Sequence, residues 1–585
     1  MIIMEQKGFD GNFFIGMFLI FGILIWVNLT QMPSAINSEN SVSINSKEIP
    51  ENKNQIKQID IDAADDKIFR KQPSHQYQEE IYEISNDLIV LKLSNYGASI
   101  KEVVLKEYYT HDSLPLKLIQ DLDFNFSFFS TTQKMNTDTL VFQSIDQSDT
   151  KIIFQFQDEL KNSISFIYEL LADSYEVDFQ VLISEGSSYL EPDKLMWSQK
   201  INQLEKNIDN ERNSTTINYS FNNKSSKQLS LMKDVEKTIE SPVWIANKQQ
   251  FFSTIIYSEE SFDSAVIQSN KPDENDDSFV KTLQSEFSID YDNQNNQYLF
   301  NLYFVPNKYS LLSSFDRGFE SLVPLGWGIF GWVNKFLVIP MFNFLENFGF
   351  NYGIIILIIA IVIKIILFLP TKSSYLSMAK MRVLKPEIDA INDKIEDPMQ
   401  RQQAHMNLYR KTGVNPLGGC LPMLLQMPIL IALFRFFPAS IELRQQPFLW
   451  ADDLSSYDSI LDLGFNIPLY GDHISLFALL MTLATALQMM YSNQMSSSNA
   501  QMPQMKYVMY TMPIIFLFVM NNYSSALSYY YFLANLITFG QQALIRRSID
   551  DKKLYAMLQA NKKKPVTKSK FQQRLEELAR KNQNR

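Results

Sequence analysis

The sequence predicts a multidomain membrane protein. Its parts are an all-α core of five transmembrane helices with a cytoplasmic helical hairpin, an N-terminal anchor helix, and an all-β domain across the membrane from the hairpin. Three observations carry this: long apolar runs fill residues 320–545, a period of two runs through 81–310, and basic residues gather on one set of loops. The mean hydropathy of -0.13 averages these unlike halves.

Composition also excludes several functions. The net charge of -11 gives no basic face for nucleic acid. Cys420 is the single cysteine, so a disulfide framework and a cysteine zinc site are out, and His75, His111, His405 and His473 are too scattered to suggest a metal cluster. No nucleophile–base pair, P-loop or HExxH occurs, so neither an enzyme nor a cofactor is expected.

The first element is the anchor within 1–30. Phe13 to Leu29 carries no charge and spans roughly 26 Å as a helix. The nearly neutral flank (Glu5, Lys7, Asp10) and the missing small-x-small site argue against a cleaved signal peptide. Residues 31–80, rich in Asn, Ser, Gln, Lys and Asp, read as a disordered tether. From 81 to 315 alternation makes strands: Ile89, Leu91 and Leu93 before an Asn95-Tyr96-Gly97 turn, then Ile152, Phe154 and Phe156, then Tyr175 to Ile183. Several half-buried strands separated by polar turns imply a β-sandwich. Residues 316–348, with Trp327 and Trp332, read as an amphipathic interfacial helix.

The core, 349–547, holds spans near 351–370, 417–437, 474–491, 505–520 and 524–545, the last two parted by Asn521, Asn522, Ser524 and Ser525. The loop 371–416 carries eight Lys and Arg, from Lys372 to Lys411, whereas 438–473 carries Arg444 against six acidic residues. The tail 548–585 is basic. The positive-inside rule then puts both termini in the cytoplasm and residues 31–318 outside. Within 372–415, Met381, Leu384, Ile388, Ile391 and Ile395 step by three and four, as do Met399, Gln402, Met406 and Tyr409. Two helices pairing as a hairpin are expected.

Lys364 is the residue to explain, because burying its cation in lipid costs roughly 2.5–3.5 kcal/mol. Snorkelling toward Lys372, about 12 Å away along the helix, exceeds the reach of a lysine. A wetted interior is the better reading. Gln426 in the third span, Thr482, Thr485 and Gln488 in the fourth, and Asn535, Thr538 and Gln541/Gln542 in the sixth add polar stripes. Each alone is an ordinary helix–helix seam. Together with a cation that no Asp or Glu in the five spans neutralises, they suggest a polar cavity on the cytoplasmic side, its charge free for a visiting partner. Pro422, Pro428 and Pro513 break spans, and Met423, Met427, Met502, Met505, Met509 and Met512 cluster near them, as adaptable contacts or ordinary core. Arg435 and Arg444 read as anchors near the outer interface.

The run Thr371 to Met381 resembles the YidC-type membrane protein insertases, as do Val414 to Cys420, Leu425-Gln426-Met427-Pro428 and Ile441-Glu442-Leu443-Arg444, in the family's order. Trp244-Ile245-Ala246 with Gln249-Gln250-Phe251-Phe252 is similar to the periplasmic β-supersandwich of Gram-negative members. The resemblance implies an inner-membrane insertase and chaperone acting on nascent membrane proteins, alone or with the Sec translocon. It implies a groove open to cytoplasm and lipid with Lys364 as its charge, where the family's usual residue is Arg. Gln426, Thr485, Gln488, Asn535 and Thr538 become the groove's polar lining, and Met423, Met427, Leu430, Met512 and Phe516 its client contacts. The Asn521-Asn522 turn departs from the family's Pro-Ser-Gly type. The lipid bilayer is a partner, and the basic tail suits a ribosome or anionic lipid. A small-molecule transporter or channel would want an inverted repeat, and none is seen. A sugar-recognising β domain on a passive anchor is the other alternative.

Overall fold

The computed structural model describes residues 78–184, 192–260, 262–273, 276–289, 297–415, 421–495 and 503–563. The expected anchor, most of the tether and the tail beyond Lys563 lie outside them. The chain divides into two compact units after Leu322.

Alternating residues fold the first unit into antiparallel sheets of nine, six and four strands. In the strand Glu176–Ile183, Val177, Phe179 and Val181 are fully buried while Glu176, Asp178 and Gln180 stay half-buried. Phe179 lies opposite Tyr168 on one neighbour and Phe300 on the other. Its ring meets Phe126 of the six-stranded sheet at 5.7 Å, and Phe128 of that sheet meets Phe166 at 5.3 Å, edge to face. The core is this aromatic layer between sheets. Gly97, at φ +64°, makes the expected turn, where a Cβ would come within 2.8 Å of the Asp138 backbone.

The expected boundary at 315 moves outward. Phe319 is fully buried in the first unit, its ring 5.4 Å from Trp244 and 5.0 Å from Tyr303. The indole of Trp244 donates to the Arg317 carbonyl at 3.1 Å. The amphipathic helix therefore starts at Ile329 and runs as Ile329–Val333, a π turn at Asn334–Val338, and Ile339–Glu346.

Two lysines in this unit are buried with no carboxylate in ion-pair contact among the described residues. Lys248 donates to the carbonyls of Ser214 (3.0 Å) and Gln249 (3.2 Å), and Lys281 to those of Thr215 (2.6 Å) and Leu231 (3.1 Å). Ser214 and Thr215 end the short helix Ile208–Ser214, so both ammonium groups sit at its negative end. Burial still dominates, pushing Lys281 down to about 7 and Lys248 to about 8. Between those values and the ordinary 10.5 the unfolded chain holds protons that the folded one has released, so stability rises with pH across that window and the gain is lost as pH falls to about 7. The urea midpoint of this unit is expected to climb from pH 7 to about 9.5, and Lys281→Met to flatten the climb.

The second unit is helical. Its helices are α1 (Tyr352–Ile366), α2 (Phe368–Val383), α3 (Lys385–Lys394), α4 (Pro398–Thr412), α5 (Leu421–Phe436), α6 (Leu476–Met495), α7 (Pro503–Met520), α8 (Ser525–Ser548) and α9 (Asp551–Lys562). Among the described residues no single helix is long and apolar enough to cross a membrane; α1 and α2 qualify together, bent by 60°. The span expected near 351–370 is broken before its end. Pro370 has no N–H and crowds the carbonyl four residues back, which breaks the helix near Leu367. The hairpin also begins later than expected, because Pro386 restarts the chain as α3 and leaves Met381 to α2. Asp397 caps α4 through the amides of Met399 (2.7 Å) and Gln400 (3.0 Å).

One small core unites the hairpin with the start of the tail. Ile388 and Leu408 bury against Tyr375, Leu384, Ile545 and Leu558. Residues 551–562 of the basic tail form the helix α9, capped by Asp550 and docked by Leu554 and Leu558. Arg382 pairs with Asp551 at 2.6 Å, and Glu387 receives Lys562.

A second polar hub ties the far end of the bundle. Asp458, buried, accepts from the Trp450 indole (2.8 Å), the Ser475 hydroxyl (2.5 Å) and the amides of Leu476 (2.9 Å) and Phe477 (3.0 Å), capping α6. Asn521, at the α7–α8 turn, donates to the carbonyls of Tyr470 (2.9 Å) and His473 (2.8 Å) and accepts from the Ser475 amide (2.9 Å). Arg444 is buried here, and Arg435 stands 5.9 Å from the Trp327 ring. The anchor expectation is corrected for Arg444, which is drawn inward.

Candidate functional site

The polar stripes converge on Lys364. It lies near the end of α1, where the run Ile354 to Ile366 is otherwise apolar. Its ammonium donates to Thr538 Oγ1 on α8 at 2.7 Å and to Gln426 Oε1 on α5 at 3.1 Å. The Thr538 hydroxyl spends its own proton on the Ala534 carbonyl at 2.6 Å, so its lone pairs are left for the cation. Both partners are neutral: they solvate the charge without cancelling it. No ion pair reaches Lys364 among the described residues.

The setting differs from the expected one. Lys364 is only 5% exposed, not placed in an open, hydrated recess. Gln426 and Thr538 provide the oxygen atoms that water would otherwise supply, which lets the helices close around the cation.

The other expected lining residues separate into layers. Asn535 donates to Thr485 Oγ1 at 2.7 Å, joining α8 to α6. Thr485 in turn donates to the Met481 carbonyl at 2.7 Å. Gln488 is half-buried and makes no hydrogen bond among the described residues. Of the expected client contacts, Met427, Leu430, Met512 and Phe516 are half-buried, and the Phe516 ring lies 6.1 Å from Tyr531. The side chain of Met423 lies outside the described residues. Beside these, Leu424, Leu425, Ile514, Ile515 and Phe518 expose large apolar surface on α5 and α7.

One further layer was visible in the sequence only as the Gln541/Gln542 part of the stripe, without its partners. Gln541 Nε2 donates to the Lys364 carbonyl at 3.2 Å, and Gln542 Nε2 to the Tyr375 hydroxyl at 2.7 Å. Gln542 is 1% exposed, so α8 grips α1 and α2 on both sides of their bend. The signal was the adjacent glutamine pair; its partner Tyr375 sits in a stretch that reads as solvent-facing. Tyr375→Phe is expected to cost about 1–3 kcal/mol by orphaning a buried amide, seen as a lower unfolding midpoint in detergent.

Comparison with known proteins decides the family. Residues 81–342 match the model of the YidC periplasmic domain and residues 343–553 that of the 60Kd inner membrane protein. The membrane protein insertase YidC of Parabacteroides distasonis is 43% identical over 86% of this chain and 83% of its own length. That of Bacteroides fragilis is 38% identical over 86% and 84%. The chain belongs to the YidC family of membrane protein insertases. Both layers at Lys364 fall within the part of the family matched by 343–553. Among solved structures, the active YidC insertase with its first transmembrane domain resolved is 17% identical, covering 81% of this chain and 95% of that one at a TM-score of 0.33.

Proposed function

We propose that the chain inserts nascent membrane proteins into the bacterial inner membrane, with Lys364 as the charge that draws a client's hydrophilic segment into the bundle. The observation that carries this is a buried ammonium held by two neutral oxygens in a helical unit with an apolar exterior. An acidic client residue exceeds Gln426 as a partner for that ammonium, because a carboxylate adds the attraction of an opposite charge that a neutral amide oxygen lacks. Gln426 is then displaced and α5 yields. The polar segment crosses a path shortened by the bundle's polar interior, and the apolar segment moves over α5 and α7 into lipid. Partitioning of that segment supplies the driving force, so no nucleotide takes part. A lysine meets its partners as a point charge, which suits two single contacts better than a guanidinium's paired geometry.

The same proposal takes α1, α5, α6, α7 and α8 as the five spans of the core, the hairpin and α9 as cytoplasmic, and the β unit as periplasmic. Lys385, Lys394, Arg401, Arg410 and Lys552 give that cytoplasmic face the charge a ribosome or anionic lipid requires. Work alone or beside the Sec translocon is part of it. Purified protein in liposomes is expected to insert a short single-span client. Insertion no better than in empty liposomes would overturn the proposal.

A further inference from the structure

Two leucines on the loop between α5 and α6 occupy backbone positions that suit glycine. Phe448 and Ala451 exchange both main-chain hydrogen bonds, at 2.9 and 3.0 Å, around a two-residue turn whose first residue, Leu449, stands at φ +57°. The Tyr470 amide donates to the Ile467 carbonyl at 2.9 Å, closing a turn with Pro468 second and Leu469 third, at φ +69°. Gly, Asn or Asp fills such positions without the clash that a leucine Cβ meets. Packing offers no compensation, because Leu449 is 69% exposed and Leu469 58%. Phe465, in the irregular part of the strand Leu461–Ile467, is 63% exposed, with Ile460 and Leu461 exposed near it. Large apolar side chains held outward against the preference of the backbone need a cover that the loop itself does not supply.

Their place in the fold points to lipid. The first turn is tied to the start of α1, where Asn351 donates to the Pro447 carbonyl at 3.1 Å. Just before it the exposed rings of Phe348 and Phe350 stack at 6.1 Å, past the end of the helix Ile339–Glu346. The second turn is tied to the end of α7: Asn522 donates to the Tyr470 carbonyl at 2.8 Å, and the Tyr470 ring meets Phe518 at 5.2 Å. Phe518 belongs to the exposed apolar side of α7, with Ile514 and Ile515. Both turns therefore continue apolar surfaces at one end of the bundle, the end of α1 away from Lys364. Depth is limited by the same geometry. The ribbon of Leu461–Ile467 and Gly471–Ile474 has only two strands, so main-chain groups on its outer edges have no strand to pair with, and Asp462 and Asp472 are exposed. Such groups stay at the level of the lipid head groups.

We infer that this loop is a lipid-binding surface, which seats Leu449, Phe465 and Leu469 among the acyl chains just below the head groups of the outer leaflet. The inference rests on the insertase reading for the orientation of the bundle.

The test is nitroxide labelling of the full-length protein in liposomes of phosphatidylethanolamine and phosphatidylglycerol. Cys420→Ser is the background, and Leu449→Cys, Phe465→Cys and Leu469→Cys carry the label one at a time, with Glu159→Cys on an exposed turn of the β unit as reference. Collision with oxygen, which concentrates in lipid, is compared with collision with a water-soluble nickel chelate. The labels at 449, 465 and 469 are expected to favour oxygen over the chelate several-fold more than the label at 159 does. Chelate collision at 465 and 469 equal to that at 159 puts these side chains in water. Protection from both reagents puts another part of the protein, or a second copy, over them. Either result overturns the inference. Unlabelled Leu469→Gly in detergent is expected to unfold at or above the wild-type midpoint, since Gly accepts the left-handed position and no packing is lost. A midpoint several degrees lower would mean that Leu469 packs against protein, and overturns the inference too. Water-facing labels on protein that still inserts a client leave the insertase reading standing, whereas wild type that inserts none overturns that reading.

Discussion

Lys364→Glu is expected to lower insertion of a client with an acidic translocated tail by about 100-fold, read as the protease-protected fraction in liposomes. The size follows from the chemistry of the position. The substituted carboxylate faces Thr538, whose proton is committed to Ala534, and Gln426, which must turn its amide to donate. The visitor then meets an anion where it met a cation. Placing one charge inside the membrane costs roughly 2.5–3.5 kcal/mol, and about 1.4 kcal/mol is a factor of ten in rate. Lys364→Arg keeps the charge and is expected to stay within about threefold of wild type.

The second large effect concerns stability. Asp458→Ala removes the acceptor of four hydrogen bonds at once, two of them to the first amides of α6. Because Asp458 is buried, these donors have no ready water, and the loss is expected to be about 3–5 kcal/mol. A steep fall in the thermal midpoint in detergent checks it, with Asp458→Asn intermediate. A midpoint within a degree or two of wild type would show that the hub does not hold α6.

Both effects trace to features that differ in how visible they were beforehand. The strand Glu176–Ile183 was legible because each residue's burial depends on a local alternation. Lys364, Gln426 and Thr538 were legible as polar groups in apolar runs, since such groups stand out whatever the tertiary structure. Their pairing was not legible: it depends on how α1, α5 and α8 rotate against each other, and nothing in a helical period fixes that angle. For the same reason the expected hydrated recess became a closed site. Asp458 was counted as one acid in an acidic loop; only the folded loop brings it to the start of α6. The helix α9 was missed because its charges hid the spacing of Leu554 and Leu558. The bend after α1 was written in Pro370, which the hydropathy of the run obscured.

The most direct measurement of what Lys364 does is a charge swap across the interface between protein and client. Wild type and Lys364→Glu are each given two clients identical but for an acidic or a basic translocated tail. If Lys364 acts by attraction, the variant loses the acidic-tailed client and regains insertion with the basic-tailed one. If the variant handles both tails as wild type does, or loses both alike, the charge at 364 is not what draws the client in.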